Sequence, residues 1–393
     1  MGGGHPDFSY GDVGKIQLSA SATIEGKQIN SGGVILNSIP ASLEVNTNTQ
    51  SPHVAGNVFS FSITALDING NAVPGYQPGQ LQARLTRLAP LNVSAADSQM
   101  VIAPNAAVTS GTIINWSGIS AVTFSGGMYQ SNQAYLEEVG TYETAVQDAA
   151  YLGHVISSNN QSLGRFIPAY FDVQHAGSVR LAPRCGGQFT YIGQSVDFEP
   201  GSEPLLTVTA YNSKGQLTKN YSDENWRLTP NSASLSDISY SNESAYTGGL
   251  ALDSAGAPPL LTGHDNFDGN GDIWFTGAKL HYNKLMIPDA GVGGGSPFNA
   301  SIAITYSAAM LTDTDGVCYQ SNYPQQCQAY QIASVTGGEM RYGRLRFENS
   351  FGPETETLRL PVVGPPLSYC LTRFSRSAEH CSVLIIREPS SVW

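Results

Sequence analysis

Apolar and polar residues alternate in short runs along most of this chain, and Gly, Pro, Asn or Asp closes nearly every run. A period of two predicts half-buried β-strands joined by tight turns. Residues 145–151 would also suit a short helix, but the repeats described next argue for strand there.

The pattern is written more than once. Ile39-Pro-Ala-Ser-Leu-Glu-Val45 recurs as Ile167-Pro-Ala-Tyr-Phe-Asp-Val173, and both copies read as opening edge strands, where a proline lacking an N–H is tolerated. Thr64-Ala-Leu-Asp-Ile-Asn-Gly-Asn-Ala-Val-Pro-Gly-Tyr76 recurs as Thr209-Ala-Tyr-Asn-Ser-Lys-Gly-Gln-Leu-Thr-Lys-Asn-Tyr221, a strand, an Asx-Gly turn and a second strand. Upstream of each opening strand stands a third pair, Asp12-Val-Gly-Lys-Ile-Gln-Leu-Ser-Ala20 and Glu138-Val-Gly-Thr-Tyr-Glu-Thr-Ala-Val146. These begin 27 and 29 residues before their Ile-Pro-Ala strands, so the two copies share nearly one period.

The repeats predict an all-β chain of tandem immunoglobulin-like β-sandwich modules, the first module truncated. Residues 1–38 are expected to be the closing strands of that truncated module, and residues 39–162 a complete sandwich that includes the apolar runs between Gly111 and Phe124. Residues 163–363 are expected to form a larger sandwich region, because its strand-turn-strand lies 42 residues after the opening Ile against 25 in the first copy. On this reading Met1 begins a fragment or is an internal methionine, and an export signal lies upstream.

Composition narrows the class. Charged residues are 13% of the chain, with 42 Gly and 22 Pro, a profile of strands and turns. The net charge of −12 opposes approach to phosphate backbones, so nucleic acid is not an expected partner, and no apolar run is long enough for a membrane-spanning helix. Cys318 and Cys327 flank a short polar stretch that would close as a disulfide loop in an oxidising compartment; pairing of Cys185, Cys370 and Cys381 stays open.

Few residues suggest chemistry. Asp265, Asp268, Asn270 and Asp272 alternate as calcium ligands can, although Ile273 and Lys279 stand where an EF-hand needs Gly and Glu; a plain Asx-Gly turn is the competing reading. Ca²⁺ is the one cofactor these residues suggest, and the Asp313-Thr-Asp-Gly316 loop is a weaker second candidate. Trp274 is a candidate sugar platform, with Trp116 and Trp226 read as core or edge aromatics. Arg344 and Arg346, placed by alternation on one strand face with Tyr342, are candidates for an acidic ligand. No nucleophile elbow is present, and Glu137 and Glu138, which could pair as in a glycosidase, sit where Gly11 and Asp12 stand in the earlier copy, so a turn role is expected.

Several stretches resemble one family. Gly164-Arg-Phe-Ile-Pro-Ala-Tyr-Phe171, Gly271-Asp-Ile-Trp-Phe-Thr-Gly-Ala-Lys-Leu-His-Tyr282, the Asp313-Thr-Asp-Gly316 loop and above all Met340-Arg-Tyr-Gly-Arg-Leu-Arg-Phe-Glu-Asn-Ser-Phe-Gly-Pro-Glu354 are similar to the C-terminal region of MshQ-like proteins. That resemblance implies a link with the mannose-sensitive haemagglutinin type IV pilus of Gram-negative bacteria. It also implies surface or pilus-associated biogenesis or adhesion, with pilus or cell-surface proteins as partners, and it transfers no catalytic residue. Residues 364–393 depart from the family pattern and read as an atypical tail, suggesting an altered frame. The expected function is a non-enzymatic surface scaffold or adhesin. The rival is an extracellular carbohydrate-binding or carbohydrate-active sandwich, with glycans as partners.

Overall fold

The computed structural model describes residues 7–91, 96–103, 106–110, 115–120, 122–253, 259–285, 296–343, 346–347, 351 and 362–363. The chain opens with a nested hairpin. Strand β1 (Gly14–Leu18) pairs antiparallel with β4 (Val34–Ser38), and β2 (Ser21–Ile24) pairs with β3 (Lys27–Asn30) between them.

The first sandwich follows from β5 (Ser42–Thr47), β6 (His53–Val54), β7 (Val58–Leu66), β8 (Leu81–Ala89), β9 (Gln99–Ala103), β10 (Ala106–Thr109), β11 (Ser117–Gly118), β12 (Met128–Leu136), β13 (Gly140–Tyr151), β14 (His154–Ser157) and β15 (Gln161–Ile167). One sheet runs β10-β9-β12-β7-β5 and the other β11-β8-β13-β15-β6. Residues 145–151 lie in β13, as the repeat required. Alternation in β7 turns Phe59, Phe61, Ile63 and Ala65 inward, each side chain buried, and full burial of the larger ones contributes roughly 1.5–3 kcal/mol apiece.

The second sandwich is formed by β16 (Tyr170–His175), β17 (Phe189–Tyr191), β18 (Leu205–Tyr211), β19 (Ile238–Asn242), β20 (Leu250–Leu252), β21 (Leu260–Asp265), β22 (Asn270–Thr276), β23 (Leu280–Tyr282), β24 (Phe298–Tyr306) and β25 (Tyr330–Arg341). Its sheets run β16-β18-β22-β21 and β17-β25-β24-β19, with β20 and β23 paired separately. These are the A-B-E-D and G-F-C sheets of an immunoglobulin-like sandwich, with the short strand β17 added parallel to the last strand. The first sandwich has the same plan, β6 lying parallel to β15. The longer spacing in the second copy is taken up on both sides of β17, in the connections from β16 and to β18.

The duplication extends to single hydrogen bonds. Ser42 pairs with Leu66 and Tyr170 with Tyr211, and Ala41 N and Ala169 N donate to the carbonyls of Leu66 and Tyr211 at 2.8 and 2.7 Å. Val73 N donates to Ala65 O at 3.0 Å, as Thr218 N does to Ala210 O at 2.9 Å. Gly127 and Gly269, at φ +79° and +84°, hold equivalent places, and a side chain on either would collide with the carbonyl oxygen of Val73 or Thr218. Ile39 is 36% exposed and Ile167 7%, because the second copy opens against the first module whereas the first opens against the sparse hairpin. Each sandwich encloses its own apolar core, one running to Phe166 and the other from Val139 and Ile167 to Met340.

Candidate functional site: the module junction

A short acidic turn is the feature used twice between these units. Asp12 Oδ1 accepts from Val13 N and Gly75 N, both at 2.8 Å. Glu138 Oε1 accepts from Val139 N at 2.9 Å and Asn220 N at 3.1 Å, while its Oε2 accepts from Lys219 N at 3.1 Å. Gly75 and Asn220 each precede the repeated tyrosine by one residue. The valine after each acid is buried in the core of the following sandwich, Val13 in the first and Val139 in the second. The glycine after each valine has φ +137° and +143°, so both strand pairs leave the turn in one direction. A Cβ on Gly75 would sit 2.6 Å from the Asp12 carboxylate, so the shorter acid demands glycine. The longer Glu138 leaves room for Asn220.

Asn220 fastens the second junction further. Its side chain accepts from Ala96 N at 2.7 Å and donates to Ala96 O at 3.0 Å. Asn212 Nδ2 donates to Glu137 O at 2.9 Å, and Ser213 N donates to Ala55 O at 2.9 Å. Arg165, on the last strand of the first sandwich, makes a two-pronged ion pair with Asp315, Nη1 to Oδ2 at 2.7 Å and Nη2 to Oδ1 at 2.5 Å. That guanidinium holds the Asp315 carboxyl below its ordinary range. Burial pushes the Glu138 carboxyl up to about 7, against the pull of its three backbone N–H donors.

Behind each junction the repeated tyrosine is anchored to a buried aspartate. Tyr76 OH donates to Asp148 Oδ2 at 2.9 Å, and Tyr221 OH donates to Asp313 Oδ2 at 2.8 Å. Burial drives both phenols well above their usual range, so they stay protonated and donate.

The residues singled out in the sequence are scattered. Cys318 and Cys327 are joined by a disulfide. Asp265 accepts from Asp223 N and Phe267 N, Asp268 from Asn270 N, and Asp272 from Thr207 Oγ1 and Asn266 Nδ2, so these oxygens are engaged in holding the β21–β22 turn and its neighbours. Asn270 Oδ1 accepts from Thr209 Oγ1. Among the described residues no three His, Cys, Asp or Glu side chains gather as metal ligands. Trp274 is 45% exposed on the outer face of β22, beside His264. Trp226 packs on the second core and Trp116 lies under Arg84, so neither extends a platform from Trp274.

The strand β25 does not itself carry the face expected for Tyr342 with Arg344 and Arg346, and the side chains of those two arginines lie outside what is described. Strand β25 ends at Arg341, because its partner β24 begins opposite Met340 and supplies no ladder beyond it. Tyr342 instead turns its hydroxyl onto Leu285 O, at 2.7 Å. Arg346 pairs through its backbone with Val363 in a separate two-residue ladder. Arg344, Cys370, Cys381 and the tail at 364–393 lie outside the described residues.

The alternation did not disclose the cleft walled by Tyr170, Tyr211 and Tyr323, nor the Arg165–Asp315 pair. The cleft's walls come from three separated segments, and the ion pair spans 150 residues. Asn212 and Asn220 carried a signal, since each falls at a repeated offset from the Thr-Ala strand.

Paired sandwiches joined by this turn define a tandem immunoglobulin-like all-β protein. The chain belongs to the DUF6701 family: the model of the third DUF6701 domain matches residues 138–334, from the junction acid Glu138 through most of the second sandwich. None of the curated proteins matches the sequence. A solved structure of FdeC, an Escherichia coli adhesin, is similar over 84% of this chain and 74% of its own, at 15% identity and a TM-score of 0.29, a likeness too slight to carry an argument.

Proposed function

We propose that this chain is a non-enzymatic structural and adhesive part of a bacterial cell-surface or pilus-associated protein of the MshQ-like kind, with immunoglobulin-like sandwiches strung in series. The observation that carries the reading is the duplicated junction. Only Pro168 and Ala169 separate the last strand of one sandwich from the first strand of the next, and Glu138, Asn220 and Arg165 brace that joint from two sides. So short a connection, with backbone amides fixed by a buried acid, favours a stiff stalk over a flexible tether.

Residues 12–38 repeat the geometry of 138–166, which supports reading them as the closing strands of another sandwich. The Glu138 carboxyl, pushed up by burial, is engaged with backbone amides, which suits a structural role. The Cys318–Cys327 disulfide favours an oxidising compartment. Among the described residues no helix is long and apolar enough to cross a membrane.

The test is surface labelling of intact producing cells with antibodies raised against residues 39–340. The expected result is labelling without permeabilisation, lost on treatment with external protease. Labelling only after permeabilisation overturns the reading.

A further inference from the structure

On the outer face of the second sandwich, three tyrosine rings form a continuous stack. Tyr170 and Tyr211 face each other across the β16–β18 ladder, with centroids 5.4 Å apart and planes 16° from parallel. Tyr323 lies on the Tyr170 ring at 4.8 Å and 15°. The stack floors a cleft of about 690 Å³ whose walls include Asp172, Ser213, Lys214, Gln320 and Asn322.

Both walls are held before any ligand arrives. On one side Asn212 Oδ1 accepts from Lys214 N and Gln216 N, at 2.9 and 3.0 Å, fixing the turn that carries Ser213 and Lys214. On the other, the disulfide closes residues 318–327, Gln320 N donates to Phe171 O at 3.1 Å, and Gln328 Oε1 accepts from Ser321 N at 3.1 Å. A fixed wall spares a ligand the entropy of ordering it. Tyr323 nevertheless remains 36% exposed, so part of its ring meets solvent.

We propose that this cleft binds a neutral oligosaccharide. The solvent-facing part of the Tyr323 ring, at the end of the stack, suits the C–H face of a pyranose ring, and carboxylate, carboxamide and hydroxyl groups around it suit sugar hydroxyls, which both donate and accept. Asp172 is the one carboxylate of the named walls, the Lys214 ammonium lies over the ring of Tyr135 outside them, and no guanidinium lines them, which disfavours sialylated or phosphorylated ligands. The polar walls and open form also disfavour an apolar ligand or a buried peptide anchor. Trp274 lies outside the cleft. The inference rests on the adhesive reading for its biological meaning and deepens it by naming the ligand class.

The test uses the purified full chain on an array of neutral galactose-, glucose- and N-acetylglucosamine-terminated oligosaccharides, with sialylated glycans and a proline-rich decapeptide as competing arms. Titration calorimetry on the best neutral glycan follows. Binding is expected on the neutral arm, weakened about tenfold or more by Tyr323→Ala and by Asp172→Asn, and unchanged in Trp274→Ala. The thermal midpoint of each variant, measured beside it, shows whether the fold is kept. Absence of neutral-glycan binding overturns the proposal, as does preference for the sialylated or peptide arm, or loss in Trp274→Ala with retention in Tyr323→Ala. Failure here with intact surface labelling overturns the cleft alone and leaves the stalk standing.

Discussion

Replacing Asp148 by alanine is expected to destabilise the first sandwich by about 3–5 kcal/mol, a larger loss than any surface change in the chain. The carboxylate is fully buried in the β13 strand and serves four donors: Tyr76 OH at 2.9 Å, Gly79 N at 2.7 Å, Gln80 N at 2.8 Å and Ala150 N at 3.2 Å. Alanine leaves those groups unpaired at a site that water reaches poorly, and each orphaned donor costs roughly 1–3 kcal/mol, offset in part because a buried charge disappears as well. Tyr76→Phe removes a single donor while the aspartate keeps its other three, so its cost is expected near 1 kcal/mol. Urea denaturation followed by near-ultraviolet circular dichroism separates the two. An Asp148→Ala chain within about 1 kcal/mol of the parent would show that the Tyr–Asp anchor contributes little.

The second large effect is a dependence of stability on pH centred on Glu138. In the folded chain burial raises this carboxyl from 4.5 to about 7. Between those values the folded state holds a proton that the unfolded state has released. Its stabilising contribution is therefore complete below pH 4.5 and is lost as pH rises through 7, a change of up to about 3 kcal/mol. Asp315, held low by Arg165, acts in the opposite sense but only further into acid. Glu138→Gln removes the titrating group while keeping its size. The melting temperature of the parent relative to this variant is expected to fall as pH is raised from 4.5 to 8; a difference that stays flat across that interval contradicts the assignment.

What was legible in the sequence was local. Ile39 and Ile167 open matching edge strands, and the Thr64 and Thr209 segments fold into matching strand-turn-strand units. Period-two alternation and Asx-Gly turns act within a dozen residues and need no distant partner. The placing of Glu138 opposite Asp12 was also visible, because both acids stand at one offset from a valine and a glycine.

Its bond to Asn220 was not visible, since it joins loops of two different sandwiches across 82 residues. The Arg165–Asp315 pair and the tyrosine cleft are hidden for the same reason. Asp265 and Asp268 resemble cation ligands by spacing, and both carboxylates accept from the backbone of their own turn, which spacing alone does not distinguish from a ligand set. The Tyr342–Arg346 alternation assumed a strand that continues, whereas β25 ends at Arg341.

If one acid turn joins each sandwich to the element before it, individual amides must report it. Hydrogen exchange on the full chain, resolved to single residues, reads those amides. Gly75 N and Asn220 N, bonded to Asp12 and Glu138, are expected to exchange at least about a hundredfold more slowly than unbonded amides. Asp12→Ala should release Val13 and Gly75, and Glu138→Ala should release Val139, Lys219 and Asn220 while Gly75 stays protected. Rapid exchange at Asn220 in the parent, or exchange there that Glu138→Ala does not alter, would contradict the shared joint.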